Sequence, residues 1–256
     1  MFKVSHEVPI SILEESRQFN DYDYALLHLT YEYPEYKQFY IDSIKMGREV
    51  LLDNSLFELG DALTLEQVAQ GVKDLNPTWV VVPDCLHEKD ITIERFKEWE
   101  DRYSDLDVMT IGVVQGKTGA EMDECYAFMS MNADKIAIPF DRAAFGDTLE
   151  EWCEGRPAYI KHLIVEGRWN NQKPHHLLGC SYAREFNNPL YQIFSIETVD
   201  TSNPIVAGIK RLSYAPDGLN EKPSIKLCDL IDAKLGFEQS AIIMHNVNTF
   251  KKICGR

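Results

Sequence analysis

The chain has too few basic residues and too few closely spaced cysteines for several common classes of protein. Its 256 residues include 26 Lys and Arg against 41 Asp and Glu, a formal net charge of -15. Because phosphate contacts need clustered cations, this charge argues against a broad electrostatic affinity for nucleic acid. The six cysteines include no C-x-x-C pair, so neither a disulfide framework nor a zinc ribbon is indicated.

Other signals are missing as well. Neither G-x-x-x-x-G-K-[ST] nor G-x-G-x-x-G occurs, so no nucleotide cradle and no cofactor is predicted. No run of about 18 apolar residues is present, and the first twenty residues lack a secretory signal pattern. We therefore expect a cytoplasmic protein without a membrane partner. The hydrophobic content of 45% and the aromatic content of 11% are typical of a chain that folds around a full core.

Short apolar runs alternate with helical patterns along the whole chain. Because the runs are nearly continuous, they indicate strands that are covered on both faces, as in a parallel sheet. Helix starts are indicated by Thr64, Thr118 and Thr148, each followed three residues later by Glu or Gln. The eight predicted strands cover residues 10–13, 25–31, 49–53, 79–84, 109–115, 135–139, 176–179 and 193–200.

This alternation predicts an α/β fold, a (β/α)8 TIM-type barrel, with an open doubly wound sheet as the alternative. We interpret residues 1–256 as a single domain. Its last part, about residues 215–256, is punctuated by Pro and Gly before a final helical stretch and is expected to form a short C-terminal helical appendage.

Polar residues close four of the apolar runs: Asp53, Asp84, Gln115 and Asp200. In parallel α/β folds the carboxyl ends of the strands point into the site, so these four side chains should converge on one pocket mouth. For any single Asp, capping of the following loop is the simpler interpretation. That interpretation is weaker for all four together.

The four residues are compatible with two chemistries. Two carboxylates on opposite sides of an anomeric carbon suit glycosyl transfer with retention, and a third carboxylate with an amide suits a base edge. Three Asp could equally hold Mg²⁺ or Mn²⁺ in a metal-dependent hydrolase. The spacing of the residues does not choose between them.

Five segments resemble motifs of the tRNA-guanine transglycosylase superfamily. Residues 53–58 (DNSLFE) resemble D-S-G-G-F-Q, residues 83–85 (PDC) resemble the F-D-E-C segment, and residues 112–116 (GVVQG) are similar to G-I-V-Q-G. Residues 176–181 (HLLGCS) resemble Y-L-M-G-V-G, and residues 199–202 (VDTS) occupy the place of the nucleophile segment. The short form resembles the phage and bacterial relatives that place 7-deazaguanines in DNA.

The resemblance implies roles for the matched positions. Asp200 would be the nucleophile that attacks C1′, and Asp53 would be the general acid and base. Asp84 and Gln115 would hold the base edge. The remaining substrate-binding positions would be Ser55, Phe57, Leu178 and Gly179, with Phe57 and Leu178 sandwiching the ring. The implied partners are DNA, more than tRNA, and a 7-deazaguanine base (preQ0-like); a phage-encoded protein would act in the host cytoplasm.

The chain also departs from this family. The C-x-C-x-x-C run of its zinc site is absent, so no metal is predicted, and Ser55 and Leu56 replace two glycines. Nucleic-acid contacts are expected from Tyr182, Arg184, Lys210 and Arg211. A homodimer, an accessory protein or a single-stranded substrate could supply what the net charge lacks. A catalytically inactive barrel that binds nucleic acid or protein is a further alternative.

His175 and His176 are interpreted more simply, as a solvent-facing pair or a pair at the entry of a strand.

Overall fold

Eight parallel strands form a nearly closed (β/α)8 barrel, which confirms the predicted fold class. The computed structural model describes residues 2–140, 148–192, 196–221, 223 and 225–255. The strand order is β1-β8-β7-β6-β5-β4-β3-β2. The strands are β1 (Lys3–His6), β2 (Asp23–Leu26), β3 (Val50–Asp53), β4 (Trp79–Val81), β5 (Met109–Val113), β6 (Lys135–Pro139), β7 (His175–Leu178) and β8 (Ile196–Thr201).

Helices alternate with these strands. They are α1 (Leu13–Ser16), α2 (Leu27–Glu32), α3 (Pro34–Lys45), α4 (Leu56–Leu59), α5 (Leu65–Leu75), α6 (Lys89–Tyr103), α7 (Gly119–Asn132), α8 (Leu149–Val165), α9 (Asn203–Ile209) and α10 (Phe237–Ile253). Short 3₁₀ turns cover Ile10–Ile12, Ala183–Asn187, Pro189–Gln192 and Cys228–Leu230. No helix within these described residues is both long and apolar enough to cross a membrane.

The three capping signals start helices where they were predicted. Thr64 begins α5 and Thr148 begins α8, each with a complete capping box, and Thr118 accepts the Glu121 N–H at the start of α7. Each hydroxyl satisfies an N–H that the helix itself leaves without a partner.

Polar groups join the two edges of the sheet. The Asp21 N–H donates to the Val4 carbonyl at 2.9 Å, and the Val4 N–H donates to the Asp21 carboxylate at 2.9 Å. The Asn20 side chain bonds both the N–H and the carbonyl of His6, at 2.8 and 2.9 Å. These contacts lie just before β2 and alongside β1, so they bring the barrel close to full closure.

The predicted first strand, residues 10–13, is wrong. Residues 10–12 form a 3₁₀ turn and Leu13 begins α1, whereas the first strand is β1. Lys3 and Ser5 of β1 pair in register with Thr198 and Asp200 of β8, which face the barrel interior. The inner face of β1 is therefore polar. A strand with a polar inner face has no continuous apolar run, so the search for such runs missed it.

The second predicted strand, residues 25–31, is too long. Strand β2 ends at Leu26 and helix α2 starts at the next residue. Leu27 and Leu29 of the helix are as deeply buried as the strand residues, so a continuous apolar run could not separate strand from helix. Of the eighth predicted strand, residues 193–195 lie outside the described residues, and β8 covers the rest.

Charged side chains fill the amino-terminal end of the barrel. Lys135 of β6 is fully buried, with its ammonium 2.9 Å from the Glu197 carboxylate and 3.8 Å from the centre of the Trp79 ring. Burial lowers the pKa of Lys135, and the neighbouring Glu197 and Glu49 act against that shift. This end therefore carries a buried, paired charge, and the carboxyl ends of the strands, where barrel enzymes place their sites, lie at the opposite end.

The C-terminal segment packs against the barrel through α9 and α10. A Cβ added at Gly208 would lie 2.4 Å from the Ile243 side chain, so the two helices approach at this glycine. The fully buried Asn246 donates to the carbonyls of Pro204 and Leu212 and accepts the Tyr214 N–H at 2.8 Å. These bonds tie the helical appendage to the end of the eighth β/α unit.

Candidate functional site

Asp200 lies on the inner face near the end of β8. Its Oδ1 accepts the Gly179 N–H at 2.8 Å and lies 3.0 Å from His176 Nε2. Gly179 follows β7 with φ +68, in the left-handed region that suits glycine. The turn after β7 is thus shaped so that a backbone donor fixes the carboxylate.

Asp53 is the last residue of β3 and is held by two donors. The Tyr24 hydroxyl donates to Oδ1 at 2.8 Å and the Ser55 N–H donates to Oδ2 at 2.7 Å. Burial raises the pKa of Asp53 well above its usual value, and repulsion from Glu58 and Asp200 raises it further. A raised pKa favours the protonated carboxyl, the form that a general acid uses.

Ser55, in the turn after β3, has a left-handed backbone conformation of the kind that favours glycine. Its φ of 65 lies in the left-handed region, which costs a non-glycine residue about 1–2 kcal/mol. The side chain is fully buried, and its hydroxyl accepts the His28 N–H at 3.2 Å. The sharp turn after β3 is therefore kept without glycine, and the hydroxyl offsets part of the strain.

Asp84 and Gln115 meet directly. Gln115 donates its side-chain amide to Asp84 Oδ2 at 2.7 Å, and Asn54 donates to Asp84 Oδ1 at 2.8 Å. The Gln115 carbonyl oxygen accepts the His87 N–H at 3.0 Å. Burial raises the pKa of Asp84, while the Asn54 and Gln115 bonds favour its charged form. The loops after β3, β4 and β5 are joined at this point.

Tyr24 and His176 connect the two catalytic candidates across the barrel interior. The Tyr24 ring stacks on the His176 ring at 6.2 Å between centroids, although strands β2 and β7 are not neighbours. Tyr24 bonds Asp53, and His176 lies against Asp200. The four predicted polar residues are therefore brought to one end of the barrel.

Three members of this network, Tyr24, Asn54 and His176, were not predicted as site residues. His175 and His176 are the first two residues of β7, as the strand-entry interpretation predicts, but both are fully buried, so the solvent-facing interpretation is wrong. Tyr24 could have been found from strand parity: it pairs with Leu51, two residues before Asp53, and so shares the inner face.

The polar groups are almost closed off from solvent. Asp53 is 6% exposed, Asp84 2%, Gln115 3% and Asp200 4%. The four side chains therefore present little surface to a ligand in this structure. One cavity of about 500 Å³ lies at the opposite end of the barrel, beside Glu49 and Trp79.

The two residues expected to sandwich a ring differ in their surroundings. Phe57 is 64% exposed on α4, where the Lys226 ammonium lies 5.0 Å from its ring centre. Lys226 also donates to the carbonyls of Phe57 and Glu58, at 2.7 and 3.0 Å. Leu178 is partly buried and pairs with Pro139 at the end of β7. A sandwich between Phe57 and Leu178 stays a prediction.

The expected nucleic-acid contacts do not form one surface. Tyr182 is buried and stacks on Trp152 at 5.9 Å. Arg184 is partly exposed, and its guanidinium is paired with Asp217 at 2.8 Å. Lys210 and Arg211 follow the carboxyl end of α9, which leads away from the strand ends that carry the site.

Within residues 2–140, 148–192, 196–221, 223 and 225–255, no three His, Cys, Asp or Glu side chains are grouped to hold a metal ion. Asp53, Asp84 and Asp200 thus do not form the ligand set that a metal-dependent hydrolase would need. Neither a family model nor a curated protein matches the chain.

Proposed function

We propose that the protein is a base-exchange transglycosylase that replaces guanine in nucleic acid by a 7-deazaguanine, with DNA favoured over tRNA. The observation that carries the proposal is the network from Asp53 through Tyr24 and His176 to Asp200, beside the Asp84–Gln115 pair. It joins two carboxyl groups in different surroundings, which a double displacement requires.

Asp200 and Asp53 would divide the chemistry. An Asp200 carboxylate oxygen forms a bond to C1′ while the bond from C1′ to guanine N9 breaks and its electron pair stays on the base. Asp53, whose protonated form is favoured by burial, would give its proton to the leaving guanine. The incoming 7-deazaguanine then attacks C1′ through N9, Asp53 takes the N9 proton, and Asp200 leaves. Two inversions retain the configuration at C1′.

Asp84 and Gln115 would read the base. A guanine edge presents N–H donors and the O6 acceptor. The Asp84 carboxylate can accept from the donors, and the second N–H of the Gln115 amide can donate to O6. Their mutual bond at 2.7 Å orients both groups before a base arrives.

The base must leave the helical stack before it can enter so closed a site. A flipped-out or single-stranded guanine is therefore the substrate that we propose, with a preQ0-like base as the incoming group. A second copy of the chain or an accessory protein would add the phosphate contacts that an acidic chain lacks.

The test is incorporation of label. Purified protein is incubated with radiolabelled guanine and, separately, tRNA, single-stranded DNA and double-stranded DNA, and label retained in the polymer is counted. We expect label in DNA with the wild-type protein and none with Asp200→Ala or Asp200→Asn, neither of which should form a covalent adduct. Asp74→Ala, which removes a surface ion pair with Lys37, serves as the control and should exchange normally.

Full exchange by Asp200→Ala would reject the mechanism. DNA binding without exchange of any 7-deazaguanine would instead favour the inactive binding module, and activity lost on chelation would favour a metal-dependent hydrolase.

A further inference from the structure

His176 contacts Asp200 in a way that fixes which carboxylate oxygen is available. The imidazole Nε2 lies 3.0 Å from Asp200 Oδ1, and the Gly179 N–H donates to the same oxygen at 2.8 Å. In the described part of the chain, the hydrogen bonds and ion pairs of Asp200 all go to Oδ1. Oδ2 is therefore the oxygen left to react.

The other ring nitrogen of His176 is fixed as well. Nδ1 lies 2.9 Å from the hydroxyl of Thr198, two residues before Asp200 on the same face of β8. The hydroxyl can donate to Nδ1, which leaves the imidazole proton on Nε2, facing Asp200. A neutral donor orients a carboxylate without cancelling its charge, so the carboxylate keeps its nucleophilicity.

A backbone irregularity creates this contact. His175 pairs with Ile196 but His176 pairs with Thr198, so the register shifts between the two histidines and Glu197 has no partner in β7. A bulge of this kind re-aims side chains beside a site. Here it places the His176 ring on the inner face, stacked on Tyr24.

We propose that His176 is a positioning residue: as a neutral Nε2–H imidazole fixed by Thr198, it holds Asp200 so that Oδ2 faces the reacting sugar carbon. The reactive role of Oδ2 rests on the proposed function, whereas the contacts of His176 with Thr198 and Asp200 do not.

The charged groups around His176 favour the neutral ring. Burial lowers the pKa of His176, and Lys135 and Arg156 lower it further. Asp200 acts in the opposite direction, through its contact and its charge, and the ring of Tyr24, a further titratable group, stacks on His176. Desolvation is the largest of these effects, so the ring stays neutral near pH 7.

The arrangement is tested first without any reaction. Ring ¹⁵N spectra of the whole protein report the tautomer of each histidine, and His176→Phe identifies the signals of residue 176. We expect a neutral ring with the proton on Nε2, and a mixture of tautomers in Thr198→Val, whose side chain has the same shape but no hydroxyl. A protonated ring, or a proton on Nδ1, would overturn the inference.

Base exchange provides the second test. His176→Phe keeps a ring against Tyr24 but removes both nitrogens, so kcat should fall about 10- to 100-fold while KM for the incoming base changes less than about 2-fold. His176→Gln should recover part of kcat, because its amide can donate. Thr198→Val should lower kcat by a smaller factor. This variant keeps the test available if His176→Phe does not fold.

An effect on KM alone, or a His176→Phe kcat close to that of the wild type, would contradict the positioning role. Absence of exchange in the wild-type protein would instead reject the proposed function, and the ¹⁵N spectrum would still decide the His176–Asp200 contact.

Discussion

Asp53→Asn should change the pH dependence of folding stability. Burial and the charges of Glu58 and Asp200 raise the pKa of Asp53 in the folded protein. The unfolded chain loses this proton near pH 3.9, the ordinary value for Asp. Above that pH the folded state binds one more proton than the unfolded state, so the unfolding free energy falls as the pH rises towards the folded pKa.

The size of the effect follows from linkage. One extra proton changes the unfolding free energy by about 1.4 kcal/mol for each pH unit. An Asn cannot ionise, and it can replace both hydrogen bonds, since its carbonyl can accept the Ser55 N–H and its NH₂ can donate to the Tyr24 oxygen. The variant should therefore gain stability relative to the wild type by up to about 1.4 kcal/mol per pH unit. The raised pKa of Asp84 is common to both proteins and cancels.

Urea unfolding followed by tryptophan fluorescence between about pH 5 and about pH 7 measures this difference. Glu58→Gln is the matched control. Removing the Glu58 charge lowers the pKa of Asp53, so it narrows the pH range over which the folded state holds the extra proton. A difference between Asp53→Asn and wild type that stays constant with pH would refute the reasoning. The same titration should limit base exchange, whose rate should fall as the pH rises through the Asp53 pKa.

Substitutions at three further positions, Ser55, Arg156 and Lys226, test the interactions that hold the loops around the site. Ser55→Ala should destabilise the protein by about 1 kcal/mol more than Ser55→Gly, in urea unfolding, because only glycine relieves the left-handed backbone. Arg156→Met leaves Glu185 buried without its cation and should cost about 3–5 kcal/mol, of which the double variant with Glu185→Leu should recover only the part due to the unpaired charge, because Arg156 also donates to three backbone carbonyls. Lys226→Met should speed amide hydrogen exchange at residues 59 and 60, because Lys226 donates to a carbonyl of the short helix α4, whereas Lys251→Met should not. Equal protection of these amides in the two variants would show that Lys226 does not hold the helix.

The fold was predictable because seven of the eight strands contain a short apolar run that the sequence shows. The one that was missed, β1, carries Lys3 and Ser5 on its inner face, opposite the polar residues of β8. The boundary of β2 was also out of reach, because a helix begins at Leu27 with no change in apolar content. Periodicity reports burial, and it fails where burial is the same in strand and helix or where the interior itself is polar.

The grouping of four polar residues in the candidate site could be predicted, because each of them follows an apolar run at the end of a strand. Asp53, Asp84, Gln115 and Asp200 each close an apolar run, and the structure brings them to one end of the barrel. His176 was out of reach because its position depends on a register shift between β7 and β8, which no local pattern encodes. Contacts between distant strands follow from barrel geometry, and they cannot be read along the chain.

The charges near the carboxyl ends of the strands determine how the proposed substrate would be bound. Several cations that follow the strand ends are already paired with carboxylates: Lys89 with Glu124, Arg95 with Asp61, Lys117 with Glu88, and Arg184 with Asp217. An exposed pair contributes only about 0–1 kcal/mol, so breaking it costs little, but the released carboxylate would then repel the incoming phosphate. Phosphate contacts made by this chain alone therefore gain little. The affinity that this chain itself supplies would then come from the buried polar groups acting on a base and its sugar, which favours a flipped-out or single-stranded nucleotide over an intact duplex as the proposed substrate.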